Sequence, residues 1–142
     1  MPKPPQNSAD SSTHLLYCDG ASRGNPGPAS YGFVIFRDGE ILERKGGRLG
    51  NTTNNVAEYQ ALIHGLSRLV ELAATHIVVK ADSELMVRQM NGIYKVKAPG
   101  IIPLFQQAKA LCQKFTKIEV LHVRREENSL ADAMANDALD RD

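Results

Sequence analysis

The chain has 142 residues, 42% of them hydrophobic and 23% charged, with a formal net charge of +1. That length fits one domain around a single core, and no apolar run approaches the length of a membrane span. Near-neutrality neither requires nor excludes a nucleic-acid partner, so any such partner has to be held by a local basic surface.

Residues 1–13 are proline- and serine-rich with no apolar centre. They read as a flexible tail and not as a signal peptide, which leaves 14–142 as a single domain. The two cysteines, Cys18 and Cys112, lie in apolar runs without metal-ligand spacing. They read as buried free thiols, as expected of a protein in the reducing cytoplasm. Nothing in the sequence calls for an oligomer, so a monomer is expected. A first strand at 14–18 ends on Asp19 and gives way to the loop Gly20-Ala21-Ser22-Arg23-Gly24-Asn25-Pro26-Gly27-Pro28. A second strand at 30–37 is followed by Asp38-Gly39 and a third strand at 40–45. Asp-Gly between two extended runs predicts an antiparallel hairpin. The glycine-containing stretch 46–53 reads as a loop, and a helix at 54–72 carries Leu62, Leu66, Leu69 and Ala73 as its core stripe.

A fourth strand at 75–81 ends on Asp82, and a helix then runs from Ser83 to a stop at Asn91-Gly92, with Met86 and Met90 on its core face. A loop at 93–100, a helix at 101–115, a strand at 117–123 and a last helix at 129–139 follow, with Asn128 as the N-cap of the last. His14, His64 and His76 have no partners legible in sequence and read as surface or packing residues. The order β-β-β-α-β-α-α-β-α predicts an α/β fold: an antiparallel hairpin region, then mostly parallel strands with helices on the sheet faces. In such sheets, sites form beyond the carboxyl ends of parallel strands. If the strands that end on Asp19 and Asp82 are parallel neighbours, both carboxylates emerge at one edge.

Two more acids belong with these. Glu58 lies one turn before Leu62 on the stripe that faces the sheet, and Asp132 opens the last helix. Each of the four has an ordinary explanation by itself. Asp19-Gly20 is turn chemistry, and Asn55 with Glu58 resembles a capping box. Asp82-Ser83 suits an N-cap, and Asp132 suits the positive end of a helix. Together they put four like charges at one sheet edge, where they cannot all ionise without a counter-charge. Oxygen-only ligation suits a hard divalent cation such as magnesium. The sequence has no histidine–cysteine cluster for zinc and no lysine-bearing phosphate loop. Two magnesium ions at such a site could activate a water and stabilise the leaving oxygen in phosphodiester hydrolysis.

Four motifs occur in order over residues 15–139: Asp19-Gly20 with Gly24-Asn25-Pro26-Gly27, then Thr53-Asn54-Asn55-Val56-Ala57-Glu58, then Asp82-Ser83, then Asn128-Ser129-Leu130-Ala131-Asp132. In these the chain resembles ribonuclease H of the type-1 class. The resemblance implies a ribonuclease-H-like fold, a five-stranded mixed sheet with three antiparallel strands followed by parallel ones, flanked by helices. It implies an endonuclease that hydrolyses the RNA strand of RNA–DNA hybrids with two metal ions, magnesium or alternatively manganese, leaving 3′-hydroxyl and 5′-phosphate ends. By the same resemblance Asp19, Glu58, Asp82 and Asp132 are the metal-binding acids. Asp19 bridges the ions, Glu58 and Asp82 hold the ion near the attacking water, and Asp132 holds the other. Gly20, Ala21, Ser22, Arg23, Gly24 and Asn25 present backbone to the RNA minor groove. Thr53 meets a DNA phosphate, and Asn54, Asn55 and Asn128 are further substrate contacts. The 2′-hydroxyl and groove width are the features that such a protein reads.

Two departures stand out. Better-known bacterial members carry a histidine in a flexible loop before the last acid, whereas the connection here is Arg124-Arg125-Glu126-Glu127-Asn128. Arg124 or Arg125 is the candidate substitute at the scissile phosphate, and His122 reads as a structural residue inside the fifth strand. The extra basic helix of many members is also absent, leaving Lys95 and Lys97 as candidate phosphate contacts. Two other functions compete: a non-catalytic module that binds hybrids or double-stranded RNA, and a nuclease of the same fold that acts on DNA. The four acids argue against the first, because a pure binder gains nothing from clustering negative charge near phosphates.

Overall fold

The computed structural model describes residues 13–141. The tail expected at 1–13 lies outside the described residues except for Thr13, which is the first residue of a strand. One five-stranded sheet has the order β3-β2-β1-β4-β5, formed by β1 Thr13–Ser22, β2 Gly27–Arg37, β3 Glu40–Thr52, β4 His76–Ala81 and β5 Lys117–His122. The first three strands are antiparallel neighbours, and β4 and β5 run parallel to β1. This is the expected mixed sheet. Helices α1 Asn54–Glu71, α2 Glu84–Met90, α3 Ile102–Cys112 and α4 Ser129–Asp140 complete it, and a 3₁₀ turn at Arg125–Asn128 leads into α4. Among the described residues no helix is long and apolar enough to cross a membrane.

Side-chain alternation in β1 and β4 explains the layering. Leu16, Cys18, Ile77 and Val79 point to one face and are fully or almost fully buried beneath α1, whose Leu62, Leu66 and Leu69 are fully buried. Gly65 leaves room for Leu16, since a Cβ there would lie 2.7 Å from its Cδ1. Met86 and Met90 are buried as expected. Ala73 is not part of the stripe: α1 ends at Glu71, and Ala73 is exposed in the left-handed region at φ 59°. A buried polar pair, Tyr59 Oη donating to Gln89 Oε1 at 2.7 Å, ties α1 to α2.

The hairpin forms as expected, with Arg37 opposite Glu40 and both Asp38 and Gly39 at positive φ. Two expected loops are strand instead. β1 continues past Cys18 to Ser22, paired with β2 as far as Ser22 opposite Ala29. β3 runs on through Gly46, Gly47 and Gly50 to Thr52. These glycines look like loop punctuation, but α4 lies directly across Gly46, the Tyr31 ring covers Gly47, and Gly50 stands at positive φ. A Cβ on Gly46 would sit 2.2 Å from the Met134 carbonyl oxygen, and one on Gly32, its partner in β2, 2.4 Å from that of Ala131. Glycine in a strand interior here marks a close helix approach. Gly46→Ala is expected to push α4 off the sheet and lower stability by about 2 kcal/mol, read as a lower denaturant midpoint at unchanged slope.

Candidate active site

The parallel ladder between β1 and β4 ends at Cys18 opposite Ala81, while β1 stays paired to β2 through Asp19 opposite Gly32. Asp19 therefore emerges where the β4 ladder stops and is held by a continuing strand, not by a loose loop. Its side is closed off, leaving the residue 4% exposed. The next residue touches the start of α1: a Cβ on Gly20 would lie 2.3 Å from the Ala57 carbonyl carbon and 2.4 Å from the Glu58 nitrogen. Across this contact the Gly20 N–H donates to Glu58 Oε1 at 3.0 Å. Thr53 is the N-cap of α1, its hydroxyl accepting from the Val56 N–H at 3.2 Å, so Glu58 is free to face the strand. The capping-box alternative for Asn55 and Glu58 is thereby set aside. Asp82 follows β4 directly, and Ser83, not Asp82, caps α2.

Asp19, Glu58 and Asp82 each bring an oxygen to within 4.8 Å of the others. Asp132, in the first turn of α4, reaches Asp19 within hydrogen-bonding distance and lines the same cavity of about 490 Å³. Burial raises the Asp19 pKa far above the ordinary carboxylate range, and the charges of Glu58 and Asp82 and the contact with Asp132 push it further. Burial also raises Glu58. The Gly20 N–H opposes that rise, Asp82 adds to it, and the hydrogen bond to Asp19 and the Arg125 charge pull the other way. Burial pushes the Cys18 thiol up as well, helped by Glu58, Asp19 and Asp82. Cys18 is thus a packed neutral thiol and no nucleophile.

Of the residues expected to meet substrate, Gly20, Ala21, Ser22, Arg23 and Asn54 line this cavity. Gly20, Ala21 and Ser22 do so from β1 and not from a loop; the loop proper is only residues 23–26. Asn25 accepts from the Asn54 N–H at 3.0 Å and so ties that loop to α1. Thr53 and Asn55 line a neighbouring groove with Asn25, Ala98 and Gly100. Asn128 is 1% exposed, and its amide donates at 2.9 Å both to the Cys18 carbonyl and to Asp82 Oδ1. It stands at the N-cap position of α4, as expected, but its side chain makes no capping hydrogen bond there and braces the acids from within. Both arginines are exposed, but Arg125 lines the acidic cavity, whereas Arg124 does not and its backbone N–H bonds the Glu127 carboxylate at 3.1 Å. Lys95 and Lys97 are exposed in the segment between α2 and α3, on either side of Val96, which packs on the core. His122 is the exposed last residue of β5 and not an internal one.

One residue escaped the sequence reading. Asn136, one turn beyond Asp132, donates its amide to Asp132 at 2.9 Å (carbonyl) and 3.2 Å (Oδ1) and lines the cavity. Its i,i+4 spacing from Asp132 was the available signal.

A family model described as reverse transcriptase-like matches residues 17–138. A bifunctional protein of Mycobacterium tuberculosis is 46% identical over 128 residues, 89% of this chain but 35% of that protein. Its solved N-terminal RNase H domain superposes with a TM-score of 0.87 at 45% identity, covering 90% of this chain and 94% of that one. The chain belongs to the type-1 ribonuclease H family. RNase H1 of Halobacterium salinarum agrees in fold, with a TM-score of 0.88, 40% identity and coverage of 90% and 98%. An RNase H1 solved in complex with an RNA/DNA hybrid has a TM-score of 0.85 at 40% identity, with coverage of 89% and 96%. The chain spans about a third of the length of the mycobacterial relatives that it matches.

The ribonuclease H acids carry a pH signature. Asp19 and Glu58 keep protons in the folded chain at pH values where the unfolded chain has lost them. The native state then binds more protons, so without metal its stability falls as pH rises from the ordinary carboxylate range through neutrality. Melting curves in chelator at pH 5, 7 and 9 are expected to show a declining Tm. Asp19→Asn should flatten the decline and melt about 5 °C above the parent at the highest pH, the effect of ~1–2 kcal/mol. A parent Tm indifferent to pH contradicts this account.

Proposed function

We propose that the chain is a metal-dependent endonuclease that hydrolyses the RNA strand of RNA–DNA hybrids. The observation that carries this reading is the cluster of Asp19, Glu58 and Asp82 oxygens within 4.8 Å, with Asp132 beside Asp19 on the same cavity. An all-oxygen donor set fits a hard cation, magnesium or alternatively manganese. The fit is also electrostatic, because Asp19 and Glu58 resist ionising until a cation offsets their charge. Asp19, Glu58 and Asp82 would hold one ion, and Asp19 with Asp132 the other. When bound, such ions supply an activated water and charge stabilisation at the departing oxygen.

The chain's own residues do the rest. Asn128 fixes Asp82, Asn136 fixes Asp132, and the Gly20 N–H fixes Glu58, so the carboxylates are set before substrate arrives. Gly20 and its neighbours on the β1 wall lie open to the minor groove of a hybrid, where Glu58 is within reach of a 2′-hydroxyl and a DNA strand offers none. Arg125 supplies positive charge on the cavity wall for the scissile phosphate, the role for which many members use a histidine. Water adds to phosphorus, the P–O3′ bond breaks, and the products end in 3′-hydroxyl and 5′-phosphate. Lys95 and Lys97 are outlying phosphate contacts whose exposed positions suit a salt-sensitive grip.

Labelled RNA–DNA hybrid, duplex RNA and duplex DNA, each with magnesium or with chelator, test this reading. Cutting of the hybrid's RNA strand only with metal is expected, with at least a ~100-fold loss in Asp19→Asn. Hybrid binding without cleavage under any divalent ion supports the binding module, and cutting of duplex DNA supports the alternative nuclease. The two arginines give a sharper test. Arg125→Ala should lower kcat about tenfold, equivalent to ~1.4 kcal/mol of barrier, while Arg124→Ala leaves turnover within about twofold. Equal effects of the two substitutions would remove Arg125 from the phosphate site.

A further inference from the structure

The guanidinium of Arg23, on the cavity wall, lies 2.6 Å from the carboxylate of Asp140, the last residue of α4. Nothing in α4 itself explains an acid there. The C-terminal end of a helix is its negative end, where acids are disfavoured, and α4 has no basic residue in its last turn. The carbonyls at that end are served from elsewhere: Arg48 donates to Ala138 O at 3.1 Å and to Leu139 O at 3.0 Å. What Asp140 does touch is Arg23.

The backbone at Arg23 is fixed while its side chain is not. Its N–H donates to Pro28 O at 2.8 Å, and its carbonyl oxygen occupies the space where a Cβ on Gly27 would be. The preceding Ser22 is tied to Gly24 O and Thr52 O, and Asn25 to the Asn54 N–H. The Arg23 and Asp140 side chains, by contrast, are 49% and 63% exposed. Exposed pairs of this kind contribute little to stability and are screened by salt, so the partner can be exchanged. A phosphate offers Arg a charge-assisted, bidentate alternative.

We propose that the Arg23 side chain is a phosphate-binding group for the RNA strand and that Asp140 is its resident counter-ion, given up when nucleic acid binds. The inference rests on the hybrid-cleaving reading above. Asp140 then acts as a built-in competitor, and it sets how much affinity and salt sensitivity that cation contributes. Arg23 and Arg125 are the two basic side chains among the residues that line the acidic cavity. Control over one of them weighs heavily in a cavity whose other charged side chains are acids.

The test is fluorescence anisotropy of a labelled RNA–DNA hybrid in chelator over a salt series, together with steady-state cleavage in magnesium. Asp140→Asn is expected to tighten binding about threefold to tenfold at low salt and to steepen log K against log[salt] by up to about one. It should lower KM and leave kcat unchanged. Arg23→Ala should weaken binding and flatten the slope, and adding Asp140→Asn to it should change nothing further, since the acid acts only through that arginine. Asp137→Asn removes the same charge from an exposed position on the same helix, and it is expected to reproduce none of this. Tightening that persists without Arg23, or that Asp137→Asn equals, is a general charge effect and overturns the proposal. So does weaker or unchanged binding in Asp140→Asn. A parent chain that neither binds nor cuts the hybrid defeats the underlying functional reading instead, so the two failures are distinguishable.

Discussion

β1 and the first turn of α1 approach so closely at Gly20 that no side chain fits between them. Most of the site depends on that contact. It brings the Glu58 carboxylate over the strand that carries Asp19, and the Gly20 N–H then anchors Glu58 at 3.0 Å. A hydrogen bond donated to a carboxylate favours its ionised form. It therefore offsets part of the burial that the same approach imposes on Glu58. Were α1 held an ångström further out, Glu58 would be better solvated but too far from Asp19 and Asp82 to share a ligand with them. The cluster exists because backbone packing, and not attraction between its members, forces three acids together.

The second constraint is α4. It lies on Gly32 and Gly46 as closely as α1 lies on Gly20, and one helix then delivers three functions at successive turns. Asp132 enters the cavity from the first turn, Asn136 steadies it from the next, and Asp140 at the end holds Arg23. The buried Asn128 just before the helix joins the Cys18 carbonyl to Asp82. A change that lifts α4 off the sheet therefore disturbs Asp132 directly and Asp82 through Asn128. Stability and site geometry are coupled through the same glycine contacts.

Most of the architecture and part of the site are legible in the sequence. Element types and order were legible because Leu16, Cys18, Ile77 and Val79 alternate, and Leu62, Leu66 and Leu69 repeat at helical spacing. The four acids were legible because each follows an apolar strand run or stands near the start of a helix, although β1 continues past Asp19 to Ser22. Gly20 and Gly46 misled, since glycine demanded by a neighbouring helix looks the same in sequence as glycine in a loop. The cap position of Asn128 was legible, but its bracing role was not, because its partners, the Cys18 carbonyl and Asp82, are 110 and 46 residues away. Arg124 and Arg125 could not be told apart until the 3₁₀ turn set one against the cavity and the other towards Glu127.

Charge balance links these observations. The whole chain carries 17 basic and 16 acidic side chains, so it has no general excess of positive charge with which to attract nucleic acid. Attraction must be local, yet the cavity is dominated by acids. Burial answers part of that problem, since Asp19 and Glu58 hold their protons to higher pH without metal and then do not repel phosphate, and a cation that ionises them also cancels their charge. The two arginines on the cavity wall answer another part. Arg125 acts on Glu58 electrostatically from one side, and Arg23 is engaged by Asp140 on the other. A site so arranged gains its affinity from a few cations close to the chemistry and not from a broad basic face, and the position of each of them matters correspondingly more.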